Sequence, residues 1–301
     1  MNNPSDSAEA PWTIARLIAW TTDFFAGRSI DSPRMTAELL LAYGLGIGRI
    51  DLYLQYDKPL TQDELARFKA LIKRRAEREP VAYITGTRGF WTLDLEVSPG
   101  VLIPRPDTEC LVERALVDMA DLAAGGRTLT VVDLGTGSGA IVLALASERP
   151  GHRYVAVDLS RDALAQARAN RDRLLPGTPV LFVNGDWLEA FEPRQDMDLI
   201  VSNPPYIPRA VIDTLEPEVA RFEPRLALDG DGDGLACIRR IVGSAEAFLR
   251  PGGVLLMEMG YDQKEAVRTL FDGYPGYDEV DFFTDYAGHD RVVRARKIQG
   301  P

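Results

Sequence analysis

With 301 residues, 46% of them hydrophobic and 26% charged, the chain is long enough for one large or two ordinary domains and has an ordinary globular composition. No run approaches the roughly eighteen apolar residues of a membrane span, and MNNPSDSAEAPW at the start lacks a basic region followed by an apolar stretch, so a cytoplasmic protein with no membrane partner is expected. A net charge of -11 argues against a protein whose main task is wrapping polyanions, because phosphate neutralisation by Lys and Arg dominates nucleic-acid affinity.

From Pro11 to about Arg78, apolar residues recur at three- and four-residue steps: Ile14, Leu17 and Ile18, then Leu39, Leu40 and Leu41, then Leu65, Phe68, Leu71 and Ile72. This predicts a small helical domain over residues 1–80. Asp31 or Ser32 before Pro33, and Thr61 before Asp63 and Glu64, read as helix starts. The basic run Arg67, Lys69, Lys73, Arg74, Arg75 and Arg78, broken by Glu77 and Glu79, is either a solvated helix face or a docking patch. Between Tyr83 and Val97 the pattern turns β-like around Gly86 and Gly89, predicting a hairpin linker over 81–100.

Residues 101–301 follow a βα rhythm. Strands are expected at Leu129–Leu134, Tyr154–Val157, Val180–Val183, Met197–Val201, Gly253–Met257, Glu279–Thr284 and Arg291–Ala295. Helices are expected at Ala140–Ser147, Arg161–Arg173, Leu235–Leu249 and near Lys264–Phe271. Short apolar strands alternating with helices give an α/β fold with a doubly wound, mostly parallel sheet, whose ligands sit at the carboxyl ends of the strands where the chain order reverses. Cys110 and Cys237 sit singly, and with only His152 and His289 beside them neither a disulfide framework nor a metal site is supported.

The first of these strands runs into Gly135, Thr136, Gly137, Ser138 and Gly139, which permit a tight turn and let backbone N–H groups approach a ligand. Asp158, twenty-three residues after Gly135, ends the next strand, where a carboxylate can accept from both ribose hydroxyls of a nucleoside. Asp186 is expected to meet an adenine amino group, and Trp187 to pack on the ring. A dinucleotide fingerprint fits Gly135, Gly137 and Ala140 equally well, and Asp133 and Asp158 also fit plain strand-end caps.

Asn203, Pro204, Pro205 and Tyr206 break that tie. Proline has no N–H, so adjacent prolines leave local carbonyls outside any regular ladder. The Asn203 side-chain oxygen and the Pro204 carbonyl can hold both N–H bonds of a planar amide or aniline-like NH2 and leave its lone pair aimed at an electrophile, beside the Tyr206 ring. A dehydrogenase has no use for such a grip, whereas a nitrogen methyltransferase does. The plainer alternative is a strand-end turn.

Together, DLGTGSGAI, DLS at 158–160 and NPPYI resemble the S-adenosylmethionine-dependent methyltransferases with the seven-stranded fold. RGFW at Arg88 to Trp91, LIPRPDTE at Leu102 to Glu109, and the stretch from Glu218 to Leu228 (EV, two residues, FEPRLAL) are similar to the release factor glutamine methyltransferases, the HemK or PrmC family, across nearly the whole chain. That resemblance implies N5-methylation of the glutamine amide in the Gly-Gly-Gln motif of class I peptide chain release factors, with S-adenosylmethionine as methyl donor and the helical domain recognising the protein substrate. By similarity, Gly135 to Gly139, Asp158, Trp187 and Asn203 bind the cofactor. Asn203, Pro204, Pro205 and Tyr206 bind the glutamine, with Asn203, Pro204 and Tyr206 carrying catalysis. Asp231 stands where the family often has glycine, and Met257 and Met259 flank Glu258 where aliphatics are commoner.

Adenine-N6 DNA methyltransferases share NPPY, but Ile207 to Gly234 holds seven acids against three arginines and no DNA-reading module is visible, so no sequence-specific nucleic-acid partner is expected. A sister enzyme acting on a large-subunit ribosomal protein would share the catalytic motif. The leucine-rich AELLLAYGLG and DLYLQYDKPL look like the release-factor enzyme. A non-catalytic module that keeps the pocket is a third alternative. Arg105, Asp107 and Glu109 belong either to a lid over the methionine end of the cofactor or to a helix start capped by Asp107 or Thr108, and Glu258 lies either in the site or on plain surface.

Overall fold

The computed structural model describes residues 11–299, so the reading of the first ten residues lies outside it. Two compact units divide at Gly86. No helix among the described residues is long and apolar enough to cross a membrane.

The first unit contains α1 (Ile14–Ala26), α2 (Pro33–Leu45), α3 (Arg49–Leu54), α4 (Gln62–Ala76) and α5 (Val81–Thr85). Its core holds Ile14, Leu17, Phe25, Leu40, Leu41, Phe68 and Ile72; Leu39, one step round the helix from its buried neighbours, is exposed. The start of α4 is a capping box, in which the Thr61 N–H donates to Glu64 Oε2 at 2.7 Å while Thr61 Oγ1 accepts from the Glu64 N–H. Pro33 does open α2, but the Ser32 side chain caps nothing. Half of the basic run is engaged within the unit: Arg74 pairs with Glu79, Arg78 donates to the Ser29 carbonyl at 2.8 Å, and Arg75 is buried. The β-like reading from Tyr83 is corrected, because the Pro80 carbonyl accepts from the Tyr83 and Ile84 N–H groups and winds Val81–Thr85 into a helical turn.

The second unit opens with an antiparallel hairpin, β1 (Thr87–Phe90) and β2 (Leu93–Glu96), then a 3-10 turn at Pro106–Thr108 and α6 (Glu109–Leu122). There follow β3 (Thr130–Leu134), α7 (Ala140–Glu148), β4 (Arg153–Asp158), α8 (Arg161–Leu174), β5 (Val180–Asn184) and β6 (Met197–Ser202). Short helices α9 (Arg209–Ile212) and α10 (Pro217–Phe222) and a 3-10 turn at Arg225–Ala227 precede α11 (Ala236–Ala245), β7 (Leu249–Glu258), α12 (Lys264–Asp272), β8 (Tyr277–Thr284) and β9 (Asp290–Lys297). The hairpin is built into this unit: Phe90 and Leu95 lie in its core, and Asn170 of α8 bonds both backbone groups of Glu96 and the Ser138 carbonyl.

The sheet is seven-stranded with order β5-β4-β3-β6-β7-β9-β8, and β9 alone runs against the rest. Central strands bury both faces. Val131, Leu199 and Val201 pack under α6 and α7, whereas Val132, Leu134 and Ile200 pack under α11 and α12. The predicted helix to Leu249 stops at Ala245, and Leu249 already pairs with Met197. A register shift then accommodates Arg250 to Gly253 before Val254 pairs with Leu199. Chain order reverses between β3 and β6, and Leu134 lies opposite both Val157 and Ser202. Gly135, Asp158 and Asn203 therefore leave the sheet side by side, at the switch point where such folds bind ligands.

Candidate active site

A cavity of about 260 Å³ opens at that edge, with Gly135, Gly137, Asp158, Asp186, Trp187, Asn203 and Pro205 all in its wall. Of the other residues read as functional, Thr136, Ser138, Gly139, Pro204 and Tyr206 do not line it. Thr136 is buried and donates to Asp133 Oδ2 at 2.7 Å, and the Ser138 carbonyl accepts from Asn170. Gly135 has a φ of 74°, and a Cβ there would meet the Trp187 ring at 3.3 Å, so the loop and the indole fit only because the side chain is missing.

Asp158 accepts from the Gly137 N–H at 2.9 Å and the Ser160 N–H at 2.8 Å. Burial raises its pKa and those N–H donors oppose the rise. Each carboxylate oxygen keeps a further lone pair, which suits ribose hydroxyls. Asp186 Oδ2 is held by Arg240 at 2.9 Å, and Arg240 also lines the cavity. Sequence reasoning missed this arginine, which sits in the middle of an amphipathic helix. The walls suit a nucleoside with a short polar tail: apolar Val157, Leu159 and Leu226, and carboxylates at Asp158 and Asp186.

Beneath the loop, Asp133 is fully buried and its Oδ1 has no partner. Burial pushes its carboxyl up to about 7, against the bonds from Thr136 and the Val142 N–H. The unfolded chain ionises this group near the ordinary value of about 3.9, the folded chain only near 7. Its contribution to stability is therefore complete below about pH 4 and is lost as pH rises to about 7. The melting temperature of Asp133→Asn should fall less than that of wild type between pH 5 and 7.5 in thermal scans; parallel curves would refute the assignment.

LIPRPDTE joins the cavity wall only at Leu102, next to Gly100 and Val101 that precede it. Arg105 forms an ion pair with buried Glu223 at 2.6 Å, tying this segment to Pro224, Leu226 and Ala227 on the opposite rim. Glu109 accepts from the Trp91 N–H at 2.9 Å, and Asp107 lies 3.4 Å from Arg291. Neither Asp107 nor Thr108 caps α6 through its side chain, which corrects the capping alternative.

Thr108 instead turns inward. Its hydroxyl donates to Glu258 Oε2 at 2.6 Å and accepts from Asn203 Nδ2 at 3.1 Å, while the Tyr206 hydroxyl donates to Glu258 Oε1 at 3.0 Å. Glu258, left between site and surface by the sequence, is 1% exposed at the end of β7. The Tyr206 carbonyl accepts from Gln263 Nε2, and Ile207 bridges to Asp229, so the corner is braced from two sides. Among the described residues no donor is bonded to the Pro204 carbonyl or to Asn203 Oδ1. Asp231 has a φ of 69°, the conformation that suits the glycine often found there, and its carboxylate lies 3.2 Å from Arg209.

The PrmC N-terminal domain family matches residues 16–86, and a methyltransferase domain family matches 126–279. The catalytic domain of hMettl16 superposes with a TM-score of 0.53 at 16% identity, over 79% of this chain and 82% of that one, a likeness of fold alone. The release factor glutamine methyltransferase of Geobacter sulfurreducens is 44% identical over 95% of this chain and 97% of its own. That of Escherichia coli K12 is 42% identical over 89% and 94%. Likeness of that extent, across both units, shows that the chain belongs to the release factor glutamine methyltransferase family and is an S-adenosylmethionine-dependent enzyme.

Proposed function

We propose that the protein methylates N5 of the glutamine side chain in the Gly-Gly-Gln motif of class I peptide chain release factors. The observation that carries this reading is a pair of unengaged acceptors on adjacent residues after β6: Asn203 Oδ1, whose Nδ2 is engaged by Thr108 and whose residue lines the cavity, and the undonated Pro204 carbonyl next to it in the chain. S-adenosylmethionine, when bound, supplies an electrophilic methyl group. Gly135, Gly137, Asp158, Trp187 and Asn203 would hold it in the cavity, with Asp186 near the base; Thr136, Ser138 and Gly139 act by shaping the loop.

Asn203 Oδ1 and the Pro204 carbonyl accept the two N–H bonds of the glutamine amide and stabilise the positive charge that develops on its nitrogen. Tyr206, its hydroxyl fixed on Glu258, sets the plane in which the amide lies, and Pro205 closes the corner. No strong base is needed, because the nitrogen loses its proton readily once it carries the methyl group. The Arg105–Glu223 ion pair ties together the segments that carry Leu102 and Pro224, both in the cavity wall. The helical unit, residues 1–80 with its continuation to Gly86, serves recognition of the protein substrate, and residues 101–301 carry the chemistry. A release factor works where translation does, so the proposal includes a cytoplasmic location.

An adenine-N6 activity on DNA is disfavoured by the acidic segment after the corner, where Arg209 is paired with Asp229 and Arg225 with Asp213. The test is mass spectrometry of a purified release factor after incubation with enzyme and labelled cofactor, beside a factor whose Gly-Gly-Gln glutamine is alanine. Label confined to that glutamine is expected. Label retained in the alanine control, or transferred instead to a ribosomal protein, would overturn the reading.

A further inference from the structure

Three segments far apart in sequence converge on one fully buried carboxylate. Glu258 comes from the end of β7, Thr108 from the 3-10 turn before α6, and Asn203 and Tyr206 from the corner after β6. Hydrogen-bond polarity makes this more than packing. Both Glu258 oxygens act as acceptors, so the single proton of Thr108 is spent on Oε2 and that of Tyr206 on Oε1. With its proton committed, Thr108 can only accept from Asn203. The Asn203 amide then has one permitted orientation: nitrogen toward Thr108, oxygen away.

The opposite orientation would be ruinous for the proposed reaction. Asn203 Oδ1 would accept from Thr108, and the group facing the substrate amide would be a second NH2, which repels N–H bonds rather than receiving them. Burial, with Asp107 adding to it, raises the Glu258 pKa above the usual carboxylate value, and the two hydroxyl donors and the Arg291 guanidinium oppose that rise. Arg291 is itself nearly buried and held by Asp285 at 3.1 Å, so the cation stays in place.

We propose that Glu258 is a positioning residue for methyl transfer: through the Thr108 hydroxyl it locks the flip state of the Asn203 amide, and through Oε1 it fixes Tyr206. This rests on the function proposed above and adds to it a residue that never touches the substrate. A glutamine at 258 offers one acceptor and one donor where two acceptors are required, so one hydroxyl must turn and either the Asn203 flip state or the Tyr206 orientation is released. Valine at 108 keeps the shape of threonine and removes the relay. Serine keeps the hydroxyl.

The experiment measures kcat on a release factor, together with cofactor-analogue affinity by calorimetry and melting temperature, for Glu258→Gln, Thr108→Val, Thr108→Ser and the double variant Asn203→Ala/Glu258→Gln. Expected are a roughly 10- to 100-fold loss of kcat in the first two, cofactor affinity within about 3-fold of wild type, and near-normal kcat in Thr108→Ser. The double variant should lose less than the product of the two single losses, because the part of Glu258 that acts through Asn203 is already gone and only its hold on Tyr206 remains to be removed. Undiminished kcat in Thr108→Val, equal losses in Thr108→Ser and Thr108→Val, or fully multiplicative losses in the double variant would overturn the inference. Wild-type enzyme that leaves the release-factor glutamine unmodified would instead overturn the proposed function.

Discussion

Replacing Asn203 by alanine should lower kcat by about 30- to 1,000-fold, equivalent to about 2–4 kcal/mol of barrier, the range found when one preorganised polar group facing a developing charge is removed. The glutamine amide begins nearly neutral, and its nitrogen becomes positive as the methyl arrives. An acceptor fixed at that spot interacts more strongly with the transition state than with bound substrate, so the loss belongs in kcat rather than KM. Because Asn203 also lines the cofactor cavity, the assay needs saturating cofactor and a direct affinity measurement alongside. Turnover near wild type, with cofactor binding intact, would contradict the assignment.

Asp158→Ala should act on the other substrate, weakening cofactor affinity by roughly 100-fold, or about 3 kcal/mol, as expected for losing hydrogen bonds to a charged acceptor. Two effects combine. The variant removes the proposed ribose acceptor, and it frees the Gly137 and Ser160 N–H groups that Asp158 now holds, so the glycine loop keeps only its Gly135 and Thr136 bonds to the Val157 carbonyl of β4. Calorimetric titration with S-adenosylmethionine or its demethylated product reads the change. Affinity within about 3-fold of wild type would show that Asp158 is a strand-end cap and nothing more.

What could be read from sequence was what local pattern encodes. Alternating short apolar runs and helical periodicities placed the sheet strands, and the Gly135–Gly139 turn followed from glycine spacing after one of them. Boundaries failed where a neighbour decides them. Tyr83 and Ile84 look like strand residues until the Pro80 carbonyl captures their N–H groups, and Leu249 continues a helical pattern until Met197 pairs with it. The candidate site was legible in its contiguous pieces and illegible in its connections. Thr108 carries the signature of a helix cap, Glu258 that of a strand-end acid, and only the sheet brings both to Asn203. Arg240 escaped for the same reason, and the partner of Arg105 could not be named, since each arginine is defined by a carboxylate more than fifty residues away.

The place of β9 has a consequence for how the enzyme comes into being. Residues 290–297 slide between β7 and β8, the one position that later-made sequence must fill after its neighbours on both sides already exist. A nascent chain emerging from the ribosome carries the glycine loop and the proline corner well before it can close its own sheet, with the β7 edge open to strangers meanwhile. Arg291 arrives on this strand too, so the cation beside Glu258 is delivered only after β7 and β8 have been made. The cation beside Glu258 is thus in place only after every other strand of the sheet has been made.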